Sequence, residues 1–503
     1  MTQPIQDVLV VGAGSAGLLA ALTIERLPAN IKVRIVRSSN VSVIGVGEST
    51  TAALPLYLHG PLGIDRAEFY REVRPSWKLG IRFEWGAKDV PHFYYPFDSR
   101  LDHKRDNLPR PEAYFCTNDL SDFTPYACLM ERGCAPLYQH QGRLVVDEGF
   151  GYHLDNNKFI AYLESLASRR GIDIIEGEVN DVQLDESGNL KPLKLKDGQE
   201  LKADLYVDCS GFRSLLLGKT LEDKYTSYND VLFCDRAIVG SFQRGGKVLP
   251  YTTAETMEHG WCWRIELLDR VTRGYVFSSQ FCDEEEAGRE LREKNPELLD
   301  AELRTLKFPS GRYENFWTKN VVAIGNASGF VEPLEATALH LVSEQLRLVC
   351  QGIMDCEMRN QPAMQRLQNG RFRAMWDDVR DFLAMHFKFN QHCDSEFWKH
   401  CRANTNLGGA EEVVQFYKQV GPSIWLKKLL PNDSMFGYSG YMNMILGQRL
   451  PTDWSPSFPP PVLQNWNSWR DQIRMRHANM PTTRQALDHI HSPQWQWPVS
   501  KRI

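Results

Sequence analysis

No apolar run in the sequence approaches the roughly 20 residues needed to cross a bilayer, and the opening residues Met1 to Asp7 lack the basic-then-apolar pattern of a secretory leader. No charge dominates. The 58 Lys and Arg against 63 Asp and Glu give a formal net charge of −5, which offers no basic face for nucleic acid or an anionic membrane. The 11 cysteines make no Cys-x-x-Cys pair and no Cys/His ligand cluster. A zinc site and a disulfide frame are thereby excluded, and reduced thiols of a cytoplasmic protein are expected. Internal repeats, linkers and low-complexity tails are also missing. What is present is a 503-residue chain with ordinary apolar and charged fractions, long enough for two or three structural units. Aromatics reach 11%, with 13 Trp, which suits a site for a flat ligand and a large core equally well.

The N-terminus carries the most specific local signal. Asp7-Val8-Leu9-Val10-Val11 reads as a buried strand, Gly12-Ala13-Gly14-Ser15-Ala16-Gly17 follows at once, and a helical pattern begins at Leu18. Lys32 to Arg37 reads as a second strand. Strand, GxGxxG, helix, strand is a βαβ dinucleotide unit, in which glycines allow a tight turn and bring the backbone close to a pyrophosphate at the helix N-terminus. The second strand ends in Arg37 where Asp or Glu usually meets the ribose. Arg37 either receives a phosphate or pairs elsewhere, so the fingerprint alone does not choose between FAD and NADP. Ile44 to Thr50 is a second glycine-rich loop, close enough to the first to face the same ligand.

Two further strands, Ala203 to Asp208 and Asn320 to Ile324, also end in glycine loops at Gly211 and Gly325. Parallel strands delivering loops to one edge predict a doubly wound α/β sheet. The segments His259 to Ile265 and Arg273 to Ser279 alternate as strands of another sheet, with Trp261 and Trp263 on one face. Asp155 to Arg169 reads as a helix. From Leu339 the pattern is helical, with Leu339, Val342, Leu346, Val349, Cys350 and Ile353 on one face. Pro333, beside Glu332, reads as the first turn of that helix. A polar excursion is expected from about Asp98 to Arg110.

Ser76 to Trp85 alternates as a single strand. Trp77, Leu79, Ile81, Phe83 and Trp85 face one way, and Lys78, Gly80, Arg82 and Glu84 the other, with Gly80 leaving open space beside Lys78. On these residues alone, Lys78 is either a solvated lysine on a half-buried strand or a site residue.

As an ordered set, these motifs resemble the flavin-dependent halogenases of the tryptophan halogenase family over about residues 5 to 400. The resemblance rests on the Gly12–Gly17 loop, on Gly45-Val46-Gly47-Glu48-Ser49-Thr50, and on Lys78 in Trp77-Lys78-Leu79-Gly80. It rests also on Trp261-Cys262-Trp263-Arg264-Ile265, on Asp208-Cys209-Ser210-Gly211, and on Phe330-Val331-Glu332-Pro333-Leu334-Glu335-Ala336-Thr337. It implies an FAD-binding Rossmann-type domain with an inserted, mainly β substrate region and a helical C-terminal region. The expected boundaries are 1–90, 150–225 and 315–360 for the FAD core, 91–149 and 226–314 for the β region, and 361–503 for the helices.

The resemblance also implies roles. Lys78 and Glu335 are catalytic. Gly12, Gly14, Ser15, Ala16, Gly17, Arg37, Gly47, Glu48, Ser49, Gly325 and Leu334 meet the cofactor. Thr337 and Ala338 hold halide, and Tyr95 and Phe97 wall the substrate. No metal is expected. FADH2 from a separate flavin reductase, O2 and halide give hypohalous acid, which travels inside the protein to Lys78. There Lys78 either donates a hydrogen bond to it or forms a haloamine, and an electron-rich aromatic, an indole or tryptophan-like compound, is halogenated. Three positions depart from the family. Glu266 stands where the WxWxIP signature has proline, Tyr95 replaces a histidine, and Ser434 to Tyr441 lacks the aromatic and acidic cluster for free tryptophan. Two alternatives stay open: a flavin-dependent aromatic hydroxylase, which Glu266 keeps in play, and a non-catalytic flavin- or aromatic-binding protein.

Overall fold

The computed structural model describes residues 4–40, 47–98, 123–140, 143–455 and 459–497. The expected excursion after Asp98 and the Gly45 and Val46 positions lie outside these residues.

A six-stranded sheet forms the first layer, in the order Asp173–Glu176, Lys32–Arg37, Asp7–Val11, Leu205–Asp208, Val321–Ala323, Trp317–Thr318. All pairs are parallel except the last. Asp7–Val11 and Leu205–Asp208 read as continuous apolar runs because the middle of a parallel sheet is covered on both faces, and Val8, Leu9, Val10 and Leu205 are fully buried. The chain proceeds to opposite sides of Asp7–Val11, so a crevice opens at the carboxyl ends of Asp7–Val11 and Leu205–Asp208, where doubly wound sheets bind ligands. The first glycine loop fills that position. Gly12 has φ +113°, and a Cβ there would sit 2.4 Å from the Cys209 carbonyl oxygen. A Cβ on Gly17 would sit 1.9 Å from the Gly12 carbonyl oxygen, whereas one on Gly14 would meet nothing within 4 Å. Gly12 and Gly17 therefore close the turn, and Gly14 faces open space. Gly17→Ala drives a methyl into backbone that cannot yield. The expected result is a protein that no longer retains flavin through gel filtration, whereas Gly14→Ala keeps its backbone geometry and loses affinity by a smaller factor.

A seven-stranded sheet forms the second layer, in the order Arg304–Lys307, Arg236–Gln243, Arg270–Phe277, Gly260–Glu266, Thr252–Met257, Gly80–Glu84, Phe93–Pro96. It is antiparallel except where Gly80–Glu84 runs parallel to Thr252–Met257. Trp263 lies opposite Gly274, and a Cβ on Gly274 would come within 1.9 Å of the indole. A glycine opposite a tryptophan lets the large ring lie across the neighbouring strand.

The stretch around Lys78 differs from the single strand expected. It divides at Leu79 into Ser76–Lys78 and Gly80–Glu84, which join different sheets. Ser76–Lys78 pairs with Gly151–Leu154, which also pairs with Glu48–Ser49. Leu79 is the joint: its N–H donates to the Pro250 carbonyl at 2.7 Å, and its carbonyl accepts from Phe97 N–H at 2.8 Å. Nor does Gly80 leave open space, since a Cβ there would lie 2.2 Å from the Tyr95 carbonyl oxygen. The alternation was real but marked two short strands, the first buried on both faces and the second with Arg82 and Glu84 half-buried on one. Period alone does not distinguish a solvated face from one covered by another element.

The rest is largely helical. The Ala338–Asp355 helix buries the expected Leu339, Val342, Leu346, Val349, Cys350 and Ile353 stripe and packs on the Ser15–Glu25 helix that follows the first glycine loop. Pro333 does not begin it. Pro333–Glu335 is a separate 3₁₀ turn, ended by Ala336 in the left-handed region at φ 55°, and the helix starts at Ala338. The 28-residue Pro362–Phe389 helix carries Asp378, Phe382 and His386 to the site. Among the described residues no helix is long and apolar enough to cross a membrane, and ten cysteines are free thiols.

Candidate active site

The cofactor side is built from loops at the crevice. Gly325, at φ +65°, lies against Ala16: a Cβ on Gly325 would sit 3.1 Å from the Ala16 methyl. Its N–H donates to Gln345 Oε1 at 3.0 Å. Gly325, Asn326, Phe330, Thr337, Ala338 and Leu341 line a narrow cavity of about 10 Å³. Ala338 is exposed there although the helix it opens is mostly buried. The first backbone bond of that helix is Leu341 N–H to Thr337 O at 2.8 Å, so its preceding N–H groups point out of the helix end, where an anion is favoured. Gly47 has φ +85°, and burial pushes the Glu48 carboxyl beside it up to about 7. Ser49 Oγ shares a 2.8 Å hydrogen bond with Thr252 Oγ1.

Three expected cofactor residues have other occupations. Arg37 pairs with Glu164 and, at 2.9 Å, with Glu176, which accounts for its charge without a phosphate. Ser15 donates to Asn156 Oδ1 at 3.1 Å. The Leu334 side chain is buried in the core. The remaining geometry fits a flavin dinucleotide: a glycine turn at the switch point, an open wall at Gly14 and free helix N–H groups.

Lys78 ends the Ser76–Lys78 strand, which pairs with Gly151–Leu154. It is 0% exposed, and its Nζ has no hydrogen-bond partner among the described residues. Burial lowers its pKa from 10.5 to about 7, and the Glu335 carboxylate partly restores it. The ammonium sits 5.3 Å from the centre of the Phe97 ring, a cation–π distance. A buried, unpartnered lysine costs stability and is kept where it has a task. Tyr95 joins it: burial, then the Glu335 charge, then the Asp378 charge hold its phenol well above the usual range. Lys78, Glu335, Tyr95 and Phe97, far apart in sequence, thus form one cluster.

Several members of the cluster escaped the sequence reading. His386 Nε2 lies 2.7 Å from Glu335 Oε1. Phe382 stacks on Phe436 with centroids 3.8 Å apart and lies 6.4 Å from Tyr95. Asp378 accepts from Ser434 Oγ at 2.9 Å, Met435 N–H at 3.0 Å and Tyr441 Oη at 3.1 Å. His153 joins the two halves: its Nε2 is 2.8 Å from Thr252 Oγ1, and burial and the Lys78 charge keep it neutral. The only signal for His386 and Asp378 was their place on one amphipathic helix, which a core residue shares.

The two signature tryptophans are buried, 6.0 Å apart. Trp261 Nε1 donates to Glu332 Oε2 at 2.6 Å, and burial pushes the Glu332 carboxyl up to about 8. Glu266, the departure from the signature, is spoken for. It pairs with Arg244 and, at 2.7 Å, with Arg264, and both its own side chain and that of Arg244 are nearly fully buried. Glu266→Gln strands Arg244, and a cost of about 3 kcal/mol is expected in urea unfolding, with the halide dependence of the products unchanged.

A parallel-sheet dinucleotide fold, opened by glycine loops toward a buried lysine and carboxylate walled by aromatic rings, is the frame of a dinucleotide-dependent oxidoreductase. The chain belongs to the tryptophan halogenase family, whose model matches residues 7–459, and it is a flavin-dependent halogenase. Tryptophan 7-halogenase RebH of Lentzea aerocolonigenes is 29% identical over 520 residues, covering 97% of this chain and 95% of its own. Among solved structures, the lanthipeptide tryptophan 5-halogenase MibH superposes with a TM-score of 0.88 at 34% identity, covering 97% of this chain and 94% of its own. Xcc4156, a flavin-dependent halogenase from Xanthomonas campestris, gives 0.87 at 27% identity, covering 97% and 99%.

Proposed function

We propose that the protein is an FADH2-dependent halogenase that uses O2 and chloride or bromide to halogenate an electron-rich aromatic, an indole or tryptophan-like compound, by hypohalous acid guided by Lys78. A separate flavin reductase supplies FADH2. The observation that carries this reading is Lys78: fully buried, unpartnered, beside Phe97 and within the field of Glu335. Gly12, Gly14, Ala16, Gly17, Gly47, Glu48 and Gly325 hold FAD, with Ser15, Ser49 and Leu334 contributing backbone. Thr337 and Ala338 offer N–H groups to halide.

Reduced FAD, with O2 and halide, supplies the hypohalous acid. Lys78 receives it, either donating a hydrogen bond from the ammonium or reacting as the free amine to give a haloamine and water. With its pKa near 7, the lysine populates both forms at neutral pH. Tyr95 and Phe97 fix the ring so that one carbon faces Lys78. That carbon bonds the halogen, the bond from halogen to oxygen or nitrogen breaks away from it, and Glu335 stabilises the cationic ring and takes its proton.

The relatives named for tryptophan, one of them a lanthipeptide halogenase, make the indole ring the leading substrate. The test is incubation with a flavin reductase, FAD, NADH, O2 and chloride or bromide. The panel comprises free tryptophan, a tryptophan-containing peptide, simple indoles and phenols, read by mass spectrometry. Halogenated indole products are expected. Products heavier by one oxygen whatever the halide would replace this reading with the hydroxylase.

A further inference from the structure

We propose that His386 is the positioning residue of Glu335: it supplies the proton that holds Glu335 Oε1 and leaves Oε2 as the oxygen presented to the substrate ring. The inference rests on the reading of Glu335 as the ring-side carboxylate. It follows from what each atom is able to do. His386 Nδ1 lies 2.8 Å from the Phe382 carbonyl oxygen. A carbonyl only accepts, so Nδ1 carries a proton. The second ring nitrogen, Nε2, lies 2.7 Å from Glu335 Oε1, and that contact also needs one proton between its atoms. The pair therefore holds one proton more than a neutral imidazole and a carboxylate would share, and its net charge is zero.

Two consequences follow. Oε1 is permanently engaged, so a proton leaving the ring goes to Oε2: the C–H bond breaks, its electron pair restores the aromatic ring, and the proton forms a bond to Oε2. And His386 is a terminus, not a conduit. Its far nitrogen is tied to a backbone carbonyl inside a helix, and a carbonyl passes no proton onward.

The surroundings are built to keep this orientation. His386 is 0% exposed. Phe382, Phe83 and Trp85 stand around the ring, with centroids 5.0, 5.4 and 6.5 Å away. The backbone is pinned as well: Trp85 Nε1 donates to the His386 carbonyl at 2.8 Å, and Gln448 Nε2 donates to the preceding Met385 carbonyl at 3.2 Å. His386 lies in the last turn of the Pro362–Phe389 helix. The other titratable groups near the pair are Lys78 and Tyr95, whose titrations both feel Glu335, with Asp378 beyond Tyr95.

The test is a double-mutant cycle on the flavin-loaded enzyme with reductase, using His386→Phe, His386→Gln and Glu335→Gln, with flavin absorbance and Tm recorded for each. His386→Phe is expected to lower kcat about 10- to 100-fold with KM for the aromatic substrate within about twofold, since the group acts through the carboxylate. His386→Gln, whose amide still donates to Oε1, is expected to have at least about fivefold higher kcat than His386→Phe. In the Glu335→Gln background His386→Phe is expected to change the rate less than about twofold. A full additional loss in that background means the histidine only packs the core, and overturns the proposal. So does a His386→Phe enzyme with wild-type kcat. If instead Glu335→Gln alone keeps wild-type activity, the ring-side reading of Glu335 fails and takes this inference with it. The Glu335→Gln single mutant thus separates the two failures.

Discussion

Lys78→Met is expected to abolish halogenation, by at least about 10³-fold, while flavin binding stays intact and the fold becomes more stable. These opposite effects have one cause. The wild-type amine is fully buried with no hydrogen-bond partner among the described residues, and burial takes its pKa from 10.5 to about 7. At about 1.4 kcal/mol per pKa unit, that shift represents roughly 4 kcal/mol at neutral pH. An unfolded lysine keeps its proton up to about 10.5, so between pH 7 and 10.5 the unfolded chain binds more protons and wild-type stability rises with pH. The penalty is complete below about pH 7 and gone by about 10.5. Methionine of similar length carries no such cost, so the stability gain of Lys78→Met should be largest at pH 7 and shrink toward pH 10. Urea titrations of both proteins at several pH values measure it. Equal stabilities throughout would mean that the lysine is solvated. Wild-type turnover in single-turnover assays should show an inflection near pH 7 from the same group. A rate that falls above it assigns hydrogen-bond donation by the ammonium, and a rate that rises assigns the free amine and the haloamine.

Glu335→Gln is expected to lower turnover by about 10²-fold or more, the usual worth of a positioned base, without loss of flavin. It has a second effect that a simple base would not show. The Glu335 charge raises the Lys78 pKa against the pull of burial. Replacing it with a neutral amide removes that support, so the residual activity should show its lysine inflection below 7. An inflection that stays in place would mean that the two residues do not sense each other. The substitution also tests whether the cationic ring needs a charge or only a hydrogen bond, since glutamine keeps the shape and loses the charge.

Much of the fold was readable because its signals are local. An apolar strand followed by Gly12-Ala13-Gly14-Ser15-Ala16-Gly17 has few other uses, and a carbonyl 1.9 Å from the Cβ that Gly17 lacks shows why the glycine is needed. The stripe from Leu339 to Ile353 and the alternation around Trp261 were equally legible, since periodicity reports which face is buried. The site was legible only where a family motif marked it. Lys78 and Glu335 came from such motifs, and composition said nothing about either.

By itself, then, the sequence determined the dinucleotide turn, the parallel strands behind it and the helical C-terminal third, all set by backbone sterics and the burial of apolar stripes. Only the tertiary structure decided what surrounds Lys78. The break at Leu79 sends two halves of one alternating stretch into different sheets, and Lys78 is fully buried with no hydrogen-bond partner among the described residues. His386 meets Glu335 from 51 positions away, Asp378 gathers Ser434, Met435 and Tyr441, and Glu266 is neutralised by Arg244 and Arg264. Each of these is a contact between groups whose spacing along the chain carries no period. The environment that shifts a pKa or fixes a proton is made by elements that meet only when the chain has folded.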